Sequence, residues 1–147
     1  MNAATLSPTR ILVLCIGNSC RSQMAEAFLD RTAGGRVAAT SAGTRPSAVN
    51  PMTIKVLAER GIDWSGARSN AMTEFLDRPF DVVVTVCDEA AEACPVFPGG
   101  GRRVHAAFDD PAAVQGSEAV RLAAYRRIRD EIEAWAGPFV AEVLASR

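Results

Sequence analysis

A chain of 147 residues with 48% apolar content is long enough to bury a sizeable core and too short for two comfortable ones, so residues 1–147 are expected to form one domain. The net charge of −1 leaves no basic field to hold a polyanion by counterion release, which argues against a nucleic-acid partner. The start MNAATLSPTR is polar, and the apolar run behind it, Ile11 to Ile16, spans only six residues before Gly17 and Asn18 interrupt it. That is neither a signal peptide nor a membrane span, so a cytoplasmic protein without membrane contact is expected. In that reducing compartment Cys15, Cys20, Cys87 and Cys94 do not suggest a disulfide framework; they are buried thiols or working ones.

In chain order, strand and helix signals alternate. The apolar stretch over residues 10–14 reads as a strand, and SQMAEAFLDRTA behind it places Met24, Phe28 and Leu29 on one face at helical spacing. RVAATSAG reads as a second strand ending at Gly43. NPMTIKVLAERG reads as a helix with Asn50 as cap, Pro51 at its first position and Gly61 at its end. FDVVVTVC is a continuous β-branched run, as a strand covered on both faces should be, and RRVHAAF is a weaker fourth strand. From about Gly116 to Leu144 the period is helical, with Gly137 and Pro138 expected to break or kink it. Strands separated by helices pair in parallel through right-handed crossovers, giving an α/β three-layer sandwich.

Ligands of such sheets sit at the carboxyl ends of the strands. Cys15 follows the first strand, Cys87 ends the third, and Asp109 and Asp110 follow the fourth, so three chemical groups converge on one edge. In CIGNSCRSQMAE, residues 15–26, the N–H groups of a tight turn running into a helix N-terminus would form a nest for a tetrahedral oxyanion. Gly17 and Asn18 are the residue types that accept left-handed dihedrals. The same field would make Cys15 the most acidic of the four thiols, with Ser22 donating a hydrogen bond to its sulfur, and Arg21 would clamp the oxyanion with a two-pronged guanidinium. A cysteine after an apolar strand is usually a small core residue, and C-x5-R alone is weak; its place at a strand-to-helix turn favours function.

The other candidates have ordinary readings too. Asp-Asp-Pro is a turn and helix-start signal, with Asp110 able to cap the segment behind it and Asp109 a solvated neighbour. If DEAAEA is helical, Cys87 and Cys94 lie about 10 Å apart along its axis, too far to bond unless the segment unwinds. Zinc ligands usually come at shorter spacing with histidines in support, and the only histidine is His105, which is read as packing; no metal is expected.

VLCIGNSCRSQMAEAF resembles the signature loop of the low-molecular-weight protein tyrosine phosphatase fold, and the likeness continues through SAG at 41–43 and FDDPA at 108–112. Within that fold, NSCRSQMAE with VVTVCDEAAEACP is most similar to the thioredoxin-coupled arsenate reductases. The resemblance implies a central four-stranded parallel sheet, Cys15 as nucleophile, Arg21 as oxyanion clamp, Asp110 as general acid, and Cys87 and Cys94 as redox relay. Substrate contacts would come from Ile16, Gly17, Asn18, Ser19, Cys20 and Arg21, with the Cys20 thiol outside the relay. The chemistry agrees: reducing arsenate consumes two electrons, which one thiol cannot deliver and return unchanged. Thioredoxin is the reductant implied.

Phosphatases of this fold usually carry aromatic residues after the Asp-Pro, where this chain has Ala112 and Ala113, which counts against an aryl phosphate substrate. Some of the reductases bind potassium near the loop. Asn18, Glu26 and Ser41 match that site, but Asn70 replaces an expected carboxylate and Arg68 stands nearby, so neither a tight potassium site nor another tightly bound cofactor is expected. Two alternatives remain: a phosphatase using Cys15, Arg21 and Asp110, and a non-catalytic oxyanion-binding or redox-sensing domain.

Overall fold

Strands and helices alternate through the computed structural model, which describes residues 7–95, 97–98 and 101–146. Residues 1–6 of the polar start, expected to be no part of a leader, lie outside that range. In order come β1 (Thr9–Cys15), α1 (Arg21–Ala33), β2 (Val37–Gly43), α2 (Pro51–Ala58), β3 (Val82–Thr85), α3 (Asp88–Ala93), β4 (Arg102–His105) and α4 (Glu118–Ala145), with 3-10 turns at Met72–Phe75 and Pro111–Ala113. The sheet order is β2-β1-β3-β4 and every pairing is parallel. Central β1 is sealed on both faces, with Ile11, Leu12, Val13 and Leu14 each 0% exposed, which requires helices above and below. The result is the expected three-layer α/β sandwich. No helix among the described residues is long and apolar enough to cross a membrane.

The register aligns the carboxyl ends. Cys15 pairs with Gly43, Leu14 with Thr85, and Thr85 with His105. Beyond Thr85 the ladder continues, because Val86 N–H donates to the Leu14 carbonyl and Phe108 N–H to the Val86 carbonyl. Cys87 is thereby held one step past the sheet, at the start of α3.

Helix α1 packs on β1, β2 and α4. Its predicted face is fully used: Met24, Phe28 and Leu29 are at most 1% exposed, each burial stabilising by about 2–3 kcal/mol. At α2 the Asn50 side chain accepts from Met52 N–H. That helix closes where Gly61 takes φ 76°, with Gly61 N–H to Ala58 and Ile62 N–H to Leu57 satisfying its last carbonyls.

One expectation is corrected. Helix α4 runs unbroken from Glu118 to Ala145, with Gly137 and Pro138 inside it. Pro138 offers no N–H to the carbonyl of Ala134, and both residues are exposed, on the side of α4 away from the core. Ile132 and Ala136 before the proline and Phe139, Val140 and Val143 after it are all buried, and this continuous apolar face keeps both halves packed on the core as one helix.

Candidate active site

Between β1 and α1 the chain turns back on itself with a single left-handed residue, Asn18 at φ 51°. Its fully buried amide explains why asparagine stands there. Nδ2 donates to Ser22 Oγ and Ser41 Oγ at 2.8 Å each, and Oδ1 accepts from Asn70 N–H at 2.8 Å. Gly17 does not share that conformation. Its role is space, since a Cβ there would meet Ser47 Oγ at 3.2 Å. Gly43 is stricter: a Cβ would sit 2.3 Å from the Ile16 carbonyl oxygen, so only glycine lets the end of β2 pass beneath the loop.

The loop's carbonyls are bonded from behind. Thr44, Arg45, Ser47 and Asn50 N–H groups donate to Cys15, Ile16, Gly17 and Ser19, while Gln23 Nε2 and Ser69 Oγ take the Asn18 carbonyl. On the loop lies a cleft of about 280 Å³, lined by Cys15, Cys20, Arg21, Asp110 and Ala112 among others, and no hydrogen bond described for the loop takes the N–H groups of residues 17–20. A concave set of backbone donors with a guanidinium beside it suits a tetrahedral oxyanion.

Arg21 is 11% exposed; Nη1 donates to the Phe108 carbonyl at 3.1 Å and Nη2 lies 3.8 Å from Asp110 Oδ2. Asp110 caps the turn behind it and also lines the cleft. Oδ1 caps the turn at Pro111–Ala113 by accepting from Ala112 N–H at 2.9 Å, and the same carboxyl borders the cleft. Asp109 is 81% exposed and pairs with Arg127, away from the chemistry. Cys20 is buried with Sγ 3.4 Å from the Tyr125 hydroxyl, anchoring the loop to α4.

Ser22 Oγ accepts from Asn18 Nδ2 at 2.8 Å, which shapes the loop from beneath. One local expectation is corrected. The Cys15 thiol is not acidified but pushed up to about 12, because burial outweighs the opposing pull of Arg21 and the neighbouring Cys87 adds to the rise. The sequence showed the positive groups and not the depth of Cys15, which is 4% exposed.

Cys87, 5% exposed, neighbours Cys15, since the Val86 N–H before it donates to the Leu14 carbonyl before Cys15, so the third strand delivers a second thiol to the first. Cys94 stands at the far end of α3, partly exposed. Burial raises its thiol pKa, while the Arg103 guanidinium lowers it. All four cysteines are free. His105, set aside in the sequence as packing, bridges Thr85 and Asp88 on either side of Cys87. The signal that could have found it is register: a histidine on β4 opposite the residue two before Cys87.

Behind the loop, Ser41 Oγ donates to Glu26 at 2.8 Å and Asn70 Nδ2 donates to the Ser41 carbonyl at 3.1 Å. The residues matching a potassium site thus bond to one another, with Asn18 presenting nitrogen to Ser41 and its oxygen already taken by Asn70. This donor set does not fit an all-oxygen cation shell. Burial raises the Glu26 carboxyl from near 4.5 to about 7, against the hydrogen bond from Ser41. The folded state therefore holds this proton longer than the unfolded chain. The linked stability is full below pH 4.5 and is lost as pH rises through 7. Melting temperature should be higher at pH 5 than at pH 8, and Glu26→Gln, which keeps an acceptor for Ser41, should shrink that difference by about 3 °C or more. Scanning calorimetry at the two pH values checks this.

A family model for low molecular weight phosphotyrosine protein phosphatase matches residues 10–147. The arsenate reductase of Halalkalibacterium halodurans is 44% identical over 122 residues, covering 83% of this chain and 88% of that one. Among solved structures, a thioredoxin-dependent arsenate reductase of Corynebacterium glutamicum superposes with TM-score 0.76 at 26% identity, over 98% of this chain and 66% of its own. An arginine phosphatase of Geobacillus stearothermophilus superposes with TM-score 0.75 at 25% identity, over 95% of both. With the cysteine, the arginine and the aspartate assembled around one oxyanion-shaped loop, and with nearly the whole length matched, the chain belongs to the low molecular weight phosphotyrosine protein phosphatase family.

Proposed function

We propose that this protein is a cytoplasmic arsenate reductase that works through Cys15, Cys87 and Cys94 and is regenerated by thioredoxin. The observation that carries the reading is the second thiol: Cys87 is buried beside Cys15 at the end of the neighbouring strand, a place where phosphoester hydrolysis needs no second thiol.

Burial keeps Cys15 as a thiol, so its proton leaves as the oxyanion enters: dianionic hydrogen arsenate accepts it, and the thiolate forms under Arg21 and the loop N–H groups. The sulfur attacks arsenic while one oxygen departs as water, protonated by Asp110, leaving a Cys15–arsenic(V) adduct. Cys87 thiolate then attacks Cys15 Sγ. The sulfur–arsenic bonding pair goes to arsenic, which leaves as arsenite, and two sulfurs are oxidised to a disulfide. Cys94 attacks Cys87 next, freeing Cys15 and carrying the disulfide to the exposed end of α3, where the dithiol of thioredoxin reduces it. No step of this scheme requires a bound cofactor or potassium.

The test is arsenite production with thioredoxin, thioredoxin reductase and NADPH, beside hydrolysis of p-nitrophenyl phosphate. NADPH oxidation should require both arsenate and thioredoxin, with slow phosphoester hydrolysis as a side reaction. Hydrolysis without arsenate-dependent NADPH oxidation would establish the phosphatase alternative, and oxyanion binding with neither activity would establish the non-catalytic one.

A further inference from the structure

Cys87 is bracketed by the partners of one residue that lies outside the oxyanion loop. Thr85, two positions before it, is buried and places Oγ1 2.8 Å from His105 Nδ1; Asp88, directly after it, places Oδ1 2.8 Å from His105 Nε2. An imidazole carrying its proton on Nε2 satisfies both contacts, donating to the Asp88 carboxylate and accepting from the Thr85 hydroxyl. The same ring thus ties the end of β3 to the first residue of α3, with Cys87 in extended conformation between them at φ −144°, ψ 155°.

We propose that His105 is a positioning residue for the thiol relay, a latch that holds Cys87 against Cys15 for the first exchange and lets go of Asp88 for the second. The proposal rests on the reading of Cys15, Cys87 and Cys94 as a relay. In the first exchange Cys87 attacks Cys15, so any freedom at residues 85–88 dilutes the productive geometry. In the second, Cys94 must reach Cys87 across α3, a span of about 10 Å at the helical rise, and α3 has to unwind. Among the described residues, two other side-chain hydrogen bonds grip that segment, Arg45 to Glu89 at 2.8 Å and Arg103 to the Pro95 carbonyl, but both hold it beyond Cys87 and neither reaches β3. Among the described residues, only the His105 side chain bridges the two sides of the cysteine. Its Asp88 end is solvent-exposed, at 87%, so it can open at little cost, whereas its Thr85 end stays in the sheet.

The two exchanges should therefore respond differently to one substitution. In a Cys94→Ser background, where only the first exchange can occur, adding His105→Ala should slow single-turnover arsenite release about three- to tenfold, the size of one net hydrogen bond. With Cys94 present, transfer of the disulfide from Cys15–Cys87 to Cys87–Cys94, followed by quenched-flow peptide mapping, should be unchanged or faster. His105→Gln, which keeps a donor and an acceptor, should recover much of the first rate. Hydrolysis of p-nitrophenyl phosphate reports on loop integrity in each variant. Equal losses in arsenite release, disulfide transfer and hydrolysis would mean a merely structural histidine, and an unaltered first exchange would also overturn the latch. If the unsubstituted protein hydrolyses the phosphoester but releases no arsenite, the relay reading itself fails and the latch falls with it.

Discussion

Cys94→Ser should release about one arsenite per protein molecule and then stop, with Cys15 and Cys87 joined. The first two chemical steps need only the loop, Asp110 and the Cys87 thiol, and Cys87 already lies beside Cys15. Losing a thiol at the far end of α3 leaves them intact. The third step has no substitute. The Cys15–Cys87 disulfide forms within the buried floor of the site, with both residues at most 5% exposed, so a protein dithiol in solution cannot approach it. Multiple turnover with thioredoxin should fall by about a hundredfold or more, while the burst amplitude stays near one equivalent. Cys87→Ser should halt one step earlier, at the arsenic adduct, releasing no arsenite. Mapping of the stalled Cys94→Ser protein decides the matter: a Cys15–Cys87 linkage supports the relay, and sustained turnover sinks it.

Much of this site was legible because it is built from local signals. An apolar run ending in Cys15, a turn of small polar residues and an amphipathic helix beginning at Arg21 specify a strand–loop–helix unit. Parallel pairing then brings the ends of β3 and β4 to the same edge. What escaped depends on depth and on partners remote in sequence. The space beside Gly17 is filled by Ser47, the hydrogen bond of Ser22 comes from an asparagine folded beneath the turn, and the Cys15 proton is held by burial that no spacing reveals. Pro138 misled for a related reason: its penalty falls on the solvent side of α4, where it costs little, and the apolar face on both flanks outweighs it. His105 was passed over because a lone histidine in a strand is uninformative until the register sets it opposite Thr85.

Arg21→Lys should nearly abolish oxyanion turnover while leaving the fold in place. The arginine is nearly enclosed, 11% exposed, with one nitrogen fixed by the Phe108 carbonyl at 3.1 Å and another 3.8 Å from Asp110. A planar fork held this way can bind two oxygens of a tetrahedral anion in parallel while keeping its own support. A lysine ammonium is a single point of charge. If it bonds the Phe108 carbonyl it is lost to the oxyanion, and if it reaches the oxyanion it gives up that support. Enclosure also penalises a compact, strongly hydrated ammonium more than a delocalised guanidinium, so the clamp's charge is weakened where it is needed. Loss of one preorganised donor at an oxyanion typically costs about two to three orders of magnitude in rate, and arsenate reduction and p-nitrophenyl phosphate hydrolysis should both fall by that much, since both use the loop before their paths diverge. The loop carbonyls remain bonded from behind by residues 44–53, so the melting temperature should move by no more than a few degrees. Steady-state rates for both substrates beside a thermal melt form the test. A loss under about tenfold in a folded protein would remove Arg21 from its role as clamp, and a loss confined to arsenate would place it in the relay instead.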